Sequence, residues 1–315
     1  MENNTPKFIN PFTDFGFKKI FGEEANKDLL IDFLNELLRS QNVQISDLTY
    51  KNTSKLGISP LDRNVIFDLL CENPKGEKFT IELQKAKQTF FKDRMLYYSS
   101  FSIQEQGLKG NWNYELKSVY VIAILDFPID DKIPEKDVVS HNRLLNVETH
   151  EVFYNKLLFV TLEMPYFNKT IDELETNFDK WLYVLKNLHK LDEIPERLRN
   201  IIFQKLFSIA SYSTLSKIER VKYEESLKYY NDLKNSLDTA FEEGKLEAIN
   251  EIKPLLEQKN KELEQKEKEL EQERQKAEQK DKQIIETAKK LKAKGFSNSE
   301  ISEITGLSID EIENL

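Results

Sequence analysis

Two neighbouring stretches decide the fold, VIFDLLCE at residues 65–72 and FTIELQKA at residues 79–86. Both contain the apolar, β-branched and aromatic residues typical of strands, and the intervening ENPKGEK has the Pro and Gly of a hairpin turn. Side chains alternate along a strand, so Glu82 and Gln84 share one face. The spacing predicts a β-hairpin in which Asp68 lies opposite that pair.

The residues on this hairpin have the chemistry of a divalent-metal site. Two carboxylates on rigid neighbouring strands suit Mg²⁺, or Mn²⁺ in its place, and predict Asp68 and Glu82 as direct ligands with the Leu83 backbone carbonyl as a third. Gln84 carries no charge, so its predicted role is to orient water or phosphate through hydrogen bonds. An acid on one strand and Glu-x-polar on the next is the pattern of a metal-dependent nuclease. The alternative is a hairpin with ordinary solvent-facing acids.

Further pieces of the chain, in their order, resemble one known family. They are NPFTDFGFKKIFG at 10–22, the Asp and Glu-x-Gln of the hairpin, FEEGKLEA at 241–248 and GFSNSEISEITGLSIDEIENL at 295–315. This series is similar to the recombination-promoting nuclease/putative transposase (Rpn) family of the PD-(D/E)xK nuclease superfamily, mainly over residues 10–167. The resemblance implies a Mg²⁺-dependent endonuclease that hydrolyses phosphodiester bonds in DNA, with a role in recombination, transposition or defence.

Gln84 stands where the superfamily usually has Lys, although members resembling the Rpn family tolerate Gln there. Lys85 and Lys87 follow at once, but alternation along the strand turns both away from the Glu82 face. Two interpretations therefore stay open. The first is an active endonuclease, and the second is a catalytically inactive relative that serves as a DNA-binding or protein-interaction scaffold.

The order of predicted elements agrees with an α/β fold built on the PD-(D/E)xK restriction-endonuclease-like core, α-β-β-β-α-β. Apolar residues at three-four spacing predict helices, and short or continuous apolar runs predict strands. In chain order these are a helix at 15–39, a strand within 43–53, the hairpin, a helix at 89–109 and a buried strand at 118–127. Two further strands, at 144–153 and 156–164, are expected to extend the sheet.

Asp14 and a set of polar side chains are candidates around the metal site. The resemblance implies that Asp14, at the start of the first helix, lines the site; alternatively, Thr13 or Asp14 simply caps that helix. Between Lys78 and Arg94 the net charge is +3, which predicts a basic rim that grips backbone phosphates largely independently of sequence. The predicted DNA-phosphate contacts are Lys85, Lys87, Lys92, Arg94 and Gln104.

Composition limits the remaining classes. The formal net charge of the 315 residues is −9, so any basic DNA-binding surface must be local. A single Cys excludes an intrachain disulfide framework, which fits a reducing cytoplasm. The N-terminus lacks the layout of a secretory signal, no run reaches the length of a membrane span, and the three His have no zinc-site spacing. We therefore expect a cytoplasmic protein with DNA as its partner and no membrane contact.

Beyond residue 167 the pattern becomes helical and then strongly charged. The expected domains are a nuclease-like domain at 1–167, a helical domain at 168–244, a charged helix or coiled coil at 245–285 and a helix-turn-helix-like tail at 286–315. Helices are predicted at 171–188, 196–211 and 215–242, with Pro254 starting or kinking the charged one.

The charged helix has one apolar residue per heptad, a poor seam that leaves open either a solvated helix or homo-oligomerisation through 245–291. In the tail, Ser297 with Glu300 and Ser308 with Glu311 predict two capping boxes. The acidic final helix argues against DNA reading and for a protein-contact or helix-capping role.

Overall fold

A computed structural model of the chain describes residues 6–55, 65–107, 110–130 and 137–315. The chain divides between Asp238 and Thr239 into two compact units. The first unit is a mixed α/β structure around a six-stranded sheet, and the second is entirely helical in its described elements. No helix in the described ranges is both long enough and apolar enough to cross a membrane.

The sheet of the first unit has the strand order β1-β4-β5-β6-β8-β7. Its strands are β1 (Thr49–Tyr50), β4 (Leu69–Glu72), β5 (Lys78–Gln84), β6 (Val119–Leu125), β7 (Val139–Leu145) and β8 (Val152–Glu163), and a separate short pair is formed by β2 (Ser54–Lys55) and β3 (Val65–Ile66). Pairing is parallel for β5–β6 and β6–β8 and antiparallel for the other neighbours. The predicted hairpin is therefore the β4–β5 pair at the middle of the sheet.

Helices cover both faces of this sheet. On one face the large core joins four helices: α1 (Asp14–Phe21), α2 (Lys27–Leu37), α4 (Asn177–Asn187) and α5 (Ile201–Ile209). On the other face α3 (Phe91–Gln104) packs on β6 through a smaller core. All seven residues of β6 are buried because alternate side chains enter the two cores. The continuous apolar run at 118–127 is thus confirmed as a strand buried on both faces.

Two predicted elements differ from the structure in their bounds. The single helix expected at 15–39 is two helices, because α1 ends at the Gly22 cap and a 3₁₀ turn, Glu24–Asn26, precedes α2. The strand expected at 144–153 is wrong, since β7 ends at Leu145. The Asn146 side chain accepts hydrogen bonds from the Glu148 and Thr149 backbone N–H groups, which folds those residues into a turn.

The helix predicted at 215–242 corresponds to α6 (Lys217–Ala293), which is longer than predicted. The sequence predicted a helix at 215–242 and a second one starting or kinking at Pro254, but α6 continues across Pro254. Proline costs an interior helix about 3 kcal/mol, and the Leu, Glu, Lys and Gln on both sides of it are strong helix formers. Pro254 as a helix start is therefore wrong.

The end of the second unit is a small helical hairpin of α7 (Asn298–Thr305) and α8 (Ile309–Glu313). Both predicted capping boxes are present, and Gly306 takes the left-handed conformation, with φ +77°, that ends α7. Ala288 of α6 packs with Ile301 and Ile312 in a core of its own. The tail is thus a local structure with its own caps and its own apolar contacts.

Candidate active site

Asp68 and Glu82 meet at the point where the β4–β5 hairpin opens. Asp68 immediately precedes β4, whose first residue, Leu69, pairs with Ile81. Asp68 Oδ2 accepts a hydrogen bond from the Leu83 backbone N–H at 2.7 Å, and Glu82 Oε1 accepts one from the Asp68 backbone N–H at 3.3 Å. The structure therefore brings the two carboxylates together by backbone hydrogen bonds across the strands.

Burial makes this pair electrostatically costly. The Glu82 residue is only 5% exposed, and desolvation raises the pKa of its carboxyl from 4.5 to about 8, with the Asp68 charge adding to the rise. Desolvation also raises the pKa of Asp68, although the Leu83 N–H opposes that rise. Two adjacent carboxylates that resist ionisation are a site where a bound cation would be strongly favoured.

Two polar side chains lie on Glu82 Oε2. Gln84, the last residue of the same strand, donates a hydrogen bond from Nε2 to Glu82 Oε2 at 3.3 Å. Arg94 Nη2, from α3, lies 3.4 Å from it and forms a partly buried ion pair. The Arg94 guanidinium also lies over the Tyr98 ring, 4.9 Å from its centroid. The sequence predicted Arg94 as a phosphate contact, whereas here it is the cation that partners a buried carboxylate.

Asp14 does not cap α1. It lies near the carboxylate pair, where its side chain contacts Lys85. Thr13 is the cap of α1, because its Oγ1 accepts from the Gly16 N–H at 2.9 Å. Asp14 Oδ1 instead pairs with Lys85 Nζ at 2.6 Å. Since β5 ends at Gln84, the next residue leaves the strand and turns toward α1. The Asp14 charge is near enough to Asp68 to raise the pKa of that carboxyl.

The donor set fits a divalent cation that takes part of its coordination from water and substrate. Asp68 and Glu82 offer two carboxylates. The Leu83 carbonyl points to the same edge of β5 as the Leu83 N–H, which donates to Asp68. Within the described ranges, however, no group of three or more His, Cys, Asp or Glu is placed to hold a metal. Asp14 is engaged with Lys85, so two carboxylates with backbone help form the candidate site.

The remaining predicted phosphate contacts separate into two groups. Lys87 and Lys92 are exposed around the start of α3, within a few residues of Arg94 along the chain. Gln104 lies at the other end of α3, about 15 Å away along the helix axis from Arg94. Its neighbour Glu105 pairs with Lys78 at the first residue of β5, 2.8 Å apart. The structure does not bring Gln104 to the carboxylates.

Sequence reasoning missed two residues at this edge. The Asp126 N–H donates to the Gln84 carbonyl at 3.0 Å, and Asp126 Oδ2 accepts from the Tyr230 hydroxyl of α6 at 2.7 Å. Burial raises the pKa of Asp126. An acid directly after a buried parallel strand was the available signal, because ligand sites form at the carboxyl ends of such strands. No local pattern pointed to Tyr230, which is 104 residues away in sequence.

Comparison with known proteins gives one family. The family model described as PD-(D/E)XK nuclease family transposase matches residues 11–240, which includes the hairpin, α3 and the first part of α6. No curated protein and no solved structure matches the chain.

Proposed function

Because the chain belongs to the PD-(D/E)XK nuclease family transposases, we propose that it is a metal-dependent endonuclease that hydrolyses phosphodiester bonds in DNA. We propose Mg²⁺ as the ion, with Mn²⁺ as a substitute, and a role in recombination, transposition or defence. The observation that carries this proposal is the pair of half-buried Asp68 and buried Glu82, held together by backbone hydrogen bonds at 2.7 and 3.3 Å.

Each side chain has a role that follows from its contacts. Asp68, Glu82 and the Leu83 carbonyl would hold the ion, which when bound supplies an activated water and neutralises charge on the phosphate. Gln84, already hydrogen-bonded to Glu82, would use its second amide N–H to orient water or a phosphate oxygen. Asp14 holds Lys85 beside the pair, so the ammonium group can help to balance the phosphate charge.

Arg94 supports the same function by its position. Its guanidinium opposes the rise in the pKa of Glu82 and lies on the surface side of the pair, with its side chain 31% exposed. When the carboxylate takes a metal, the guanidinium is well placed to bind a backbone phosphate instead. The exposed Lys87 and Lys92 add positive charge around the start of α3, which favours sequence-independent, salt-sensitive binding of DNA.

A catalytically inactive DNA-binding or scaffold protein is the second candidate. The observation that favours it is Gln84, an uncharged residue at the position where the superfamily usually has Lys. Under this alternative the Arg94–Glu82 ion pair would be permanent and would simply stabilise the hairpin. The charged helix at 245–291 would then matter most, through homo-oligomerisation in the cytoplasm.

Cleavage of supercoiled plasmid and of circular single-stranded DNA by the purified full chain tests the proposal. We expect cleavage with Mg²⁺ or Mn²⁺, none with EDTA, and none by Glu82→Ala under any condition. Glu115→Ala, which removes an exposed acid paired with Lys117, is the matched control and should cleave as the wild type does. Metal-independent cleavage, or full activity of Glu82→Ala, would refute the proposal, and binding without cleavage would favour the second candidate.

A further inference from the structure

Two adjoining cavities open along the start of α3. One has a volume of about 750 Å³ and extends along residues 87–93, and the other has a volume of about 480 Å³ and continues toward β7 and β8. They share three lining residues, Lys92, Ile129 and Asp130. We call the two together the α3 groove. Its two parts are each large enough for one nucleotide.

The α3 groove has an apolar floor and an aromatic rim. Phe91 and Phe127 are buried beneath it and contact each other edge to face, with centroids 6.1 Å apart. Phe90, the residue that precedes α3, is 72% exposed and lines the larger cavity. The fold does not bury the Phe90 ring, so the ring can offer a flat face to a ligand in the cavity.

A chain of side-chain contacts links the groove to the candidate active site through Gln88 and Arg94. Gln88 lines the larger cavity, and its Oε1 accepts a hydrogen bond from Arg94 Nη1 at 3.1 Å. Arg94 in turn reaches Glu82 at 3.4 Å. The Phe90 carbonyl accepts from the Arg94 N–H at 3.0 Å, so Phe90 lies one helical turn from the residue that touches the carboxylate pair. A nucleotide in the groove would therefore neighbour the phosphate at the site.

The charges of the groove favour a base inside it and phosphates outside it. Lys87 and Lys92 line the cavity and are exposed, where they can bind backbone phosphates. Asp93 and Asp130 also line it and would repel a phosphate that entered. Their carboxylates can accept hydrogen bonds from the amino groups of bases. Aromatic stacking combined with nearby lysines is the arrangement that binds unpaired nucleotides.

We propose that the α3 groove binds unstacked bases of single-stranded DNA, with Phe90 as the stacking residue. The substrate of the site is accordingly single-stranded or locally unpaired DNA. This inference rests on the proposed function for the meaning of the neighbouring site, although the binding itself needs no catalysis. Bases of an intact duplex are stacked on one another and cannot reach Phe90, so duplex DNA gains nothing from the groove.

Binding without metal separates this inference from the proposed function. The full chain in EDTA is titrated into a fluorescein-labelled single-stranded 12-mer and into a duplex of the same length, with anisotropy as the readout. The duplex is blunt-ended and formed from two complementary strands, so that it has no unpaired loop. Phe90→Ala is compared with Phe153→Ala, which removes another exposed aromatic ring, 77% exposed on β8, away from the groove. Phe90→Trp keeps a stacking surface. Because Phe90 and Phe153 are both exposed, neither alanine substitution opens a cavity in the core.

We expect Phe90→Ala to weaken single-strand binding about tenfold, as loss of one stacked base implies, with duplex binding unchanged. Phe153→Ala and Phe90→Trp should bind the single strand as the wild type does. Equal binding by Phe90→Ala and wild type, equal losses in the two alanine variants, or no single-strand binding by the wild type would overturn the inference. A single-stranded RNA that depends on Phe90 while DNA does not would also overturn it. Failure of cleavage with these binding results intact would refute only the proposed function.

Discussion

Glutamates in the two units lie in opposite electrostatic environments. At the sheet, burial raises the pKa of Glu82 to about 8, and its partners at 3.3–3.4 Å offset this only in part. In the terminal hairpin, Glu300 accepts hydrogen bonds from the Ser297 N–H at 2.9 Å and the Ser297 hydroxyl at 2.6 Å. These bonds lower the pKa of Glu300, and the same arrangement lowers that of Glu311.

We infer that the difference separates carboxylates that serve structure from a carboxylate that serves the proposed chemistry. A glutamate in a capping box is solvated, and its negative charge is favourable at the helix N-terminus. The partners of Glu82 offset only in part the cost of burying its charge next to Asp68. In the proposed function, a bound metal ion supplies the missing positive charge.

The largest expected effect is on catalysis. Glu82→Gln keeps the shape of the side chain but removes a metal-binding charge, and we expect cleavage to fall at least about 10³-fold, equivalent to several kcal/mol of transition-state stabilisation. Glu300→Gln, the matched change in the terminal hairpin, should leave cleavage unchanged. Cleavage rates of both variants are measured on the same DNA. Equal losses in Glu82→Gln and Glu300→Gln would contradict a special role for Glu82.

The pH dependence of stability should distinguish the same two residues. Between pH 4.5 and about 8 folded Glu82 retains a proton that the unfolded chain has lost, so its contribution to metal-free stability is complete below pH 4.5 and is lost as pH rises to about 8. Relative to Glu82→Gln, the wild type should lose about 1.4 kcal/mol of unfolding free energy per pH unit in that window. Urea unfolding in EDTA measures this, and a constant difference across the window would show that Glu82 ionises normally.

A smaller effect is expected from the cation on Glu82. Arg94→Gln removes a positive charge 3.4 Å from the carboxylate, so metal affinity without DNA should rise about tenfold while cleavage falls. Arg94→Lys retains the charge and is the control. Calorimetric titration with Mn²⁺ gives the affinities, and unchanged affinity in Arg94→Gln would mean that Arg94 does not compete with metal.

The smallest effect belongs to the terminal hairpin. Ser297→Ala removes the N-cap of α7 and should destabilise that helix by about 1 kcal/mol, with no change in cleavage. Hydrogen exchange at residues 298–305 reports the local opening. Reduced cleavage by this variant would show that the capped hairpin contributes to the activity.

The local pattern predicted most of the fold. Continuous apolar runs and hairpin residues revealed β4, β5 and β6, and Ser-x-x-Glu spacing revealed both capping boxes, because these structures are determined within about a dozen residues. The β7–β8 hairpin was misplaced because its turn is set by the Asn146 side chain rather than by Gly or Pro. Helix α6 continues past Pro254 because the many strong helix formers on both sides outweigh one proline. The sequence prediction gave that single proline too much weight.

The site was predictable only where residues are close along the chain. Alternation placed Glu82 and Gln84 together, and the hairpin brought Asp68 to them. Contacts between distant segments were not available: Lys85 reaches Asp14, 71 residues away, because β5 ends one residue earlier, and Tyr230 reaches Asp126 from α6. These contacts arise from packing of the helices on the sheet, for which the sequence pattern gives faces but not partners.

Thermal unfolding of the full chain with and without Mg²⁺ at pH 8.5, for wild type beside Asp68→Asn, tests the metal-holding pair most directly. Asn can still accept the Leu83 N–H bond, so the hairpin should remain folded in the variant. Wild type should gain about 2.7 kcal/mol at a hundredfold excess of Mg²⁺ over its dissociation constant, and Asp68→Asn should gain nothing. Equal gains in both proteins would place the metal elsewhere, and no gain in either would show that Asp68 and Glu82 do not form a metal site.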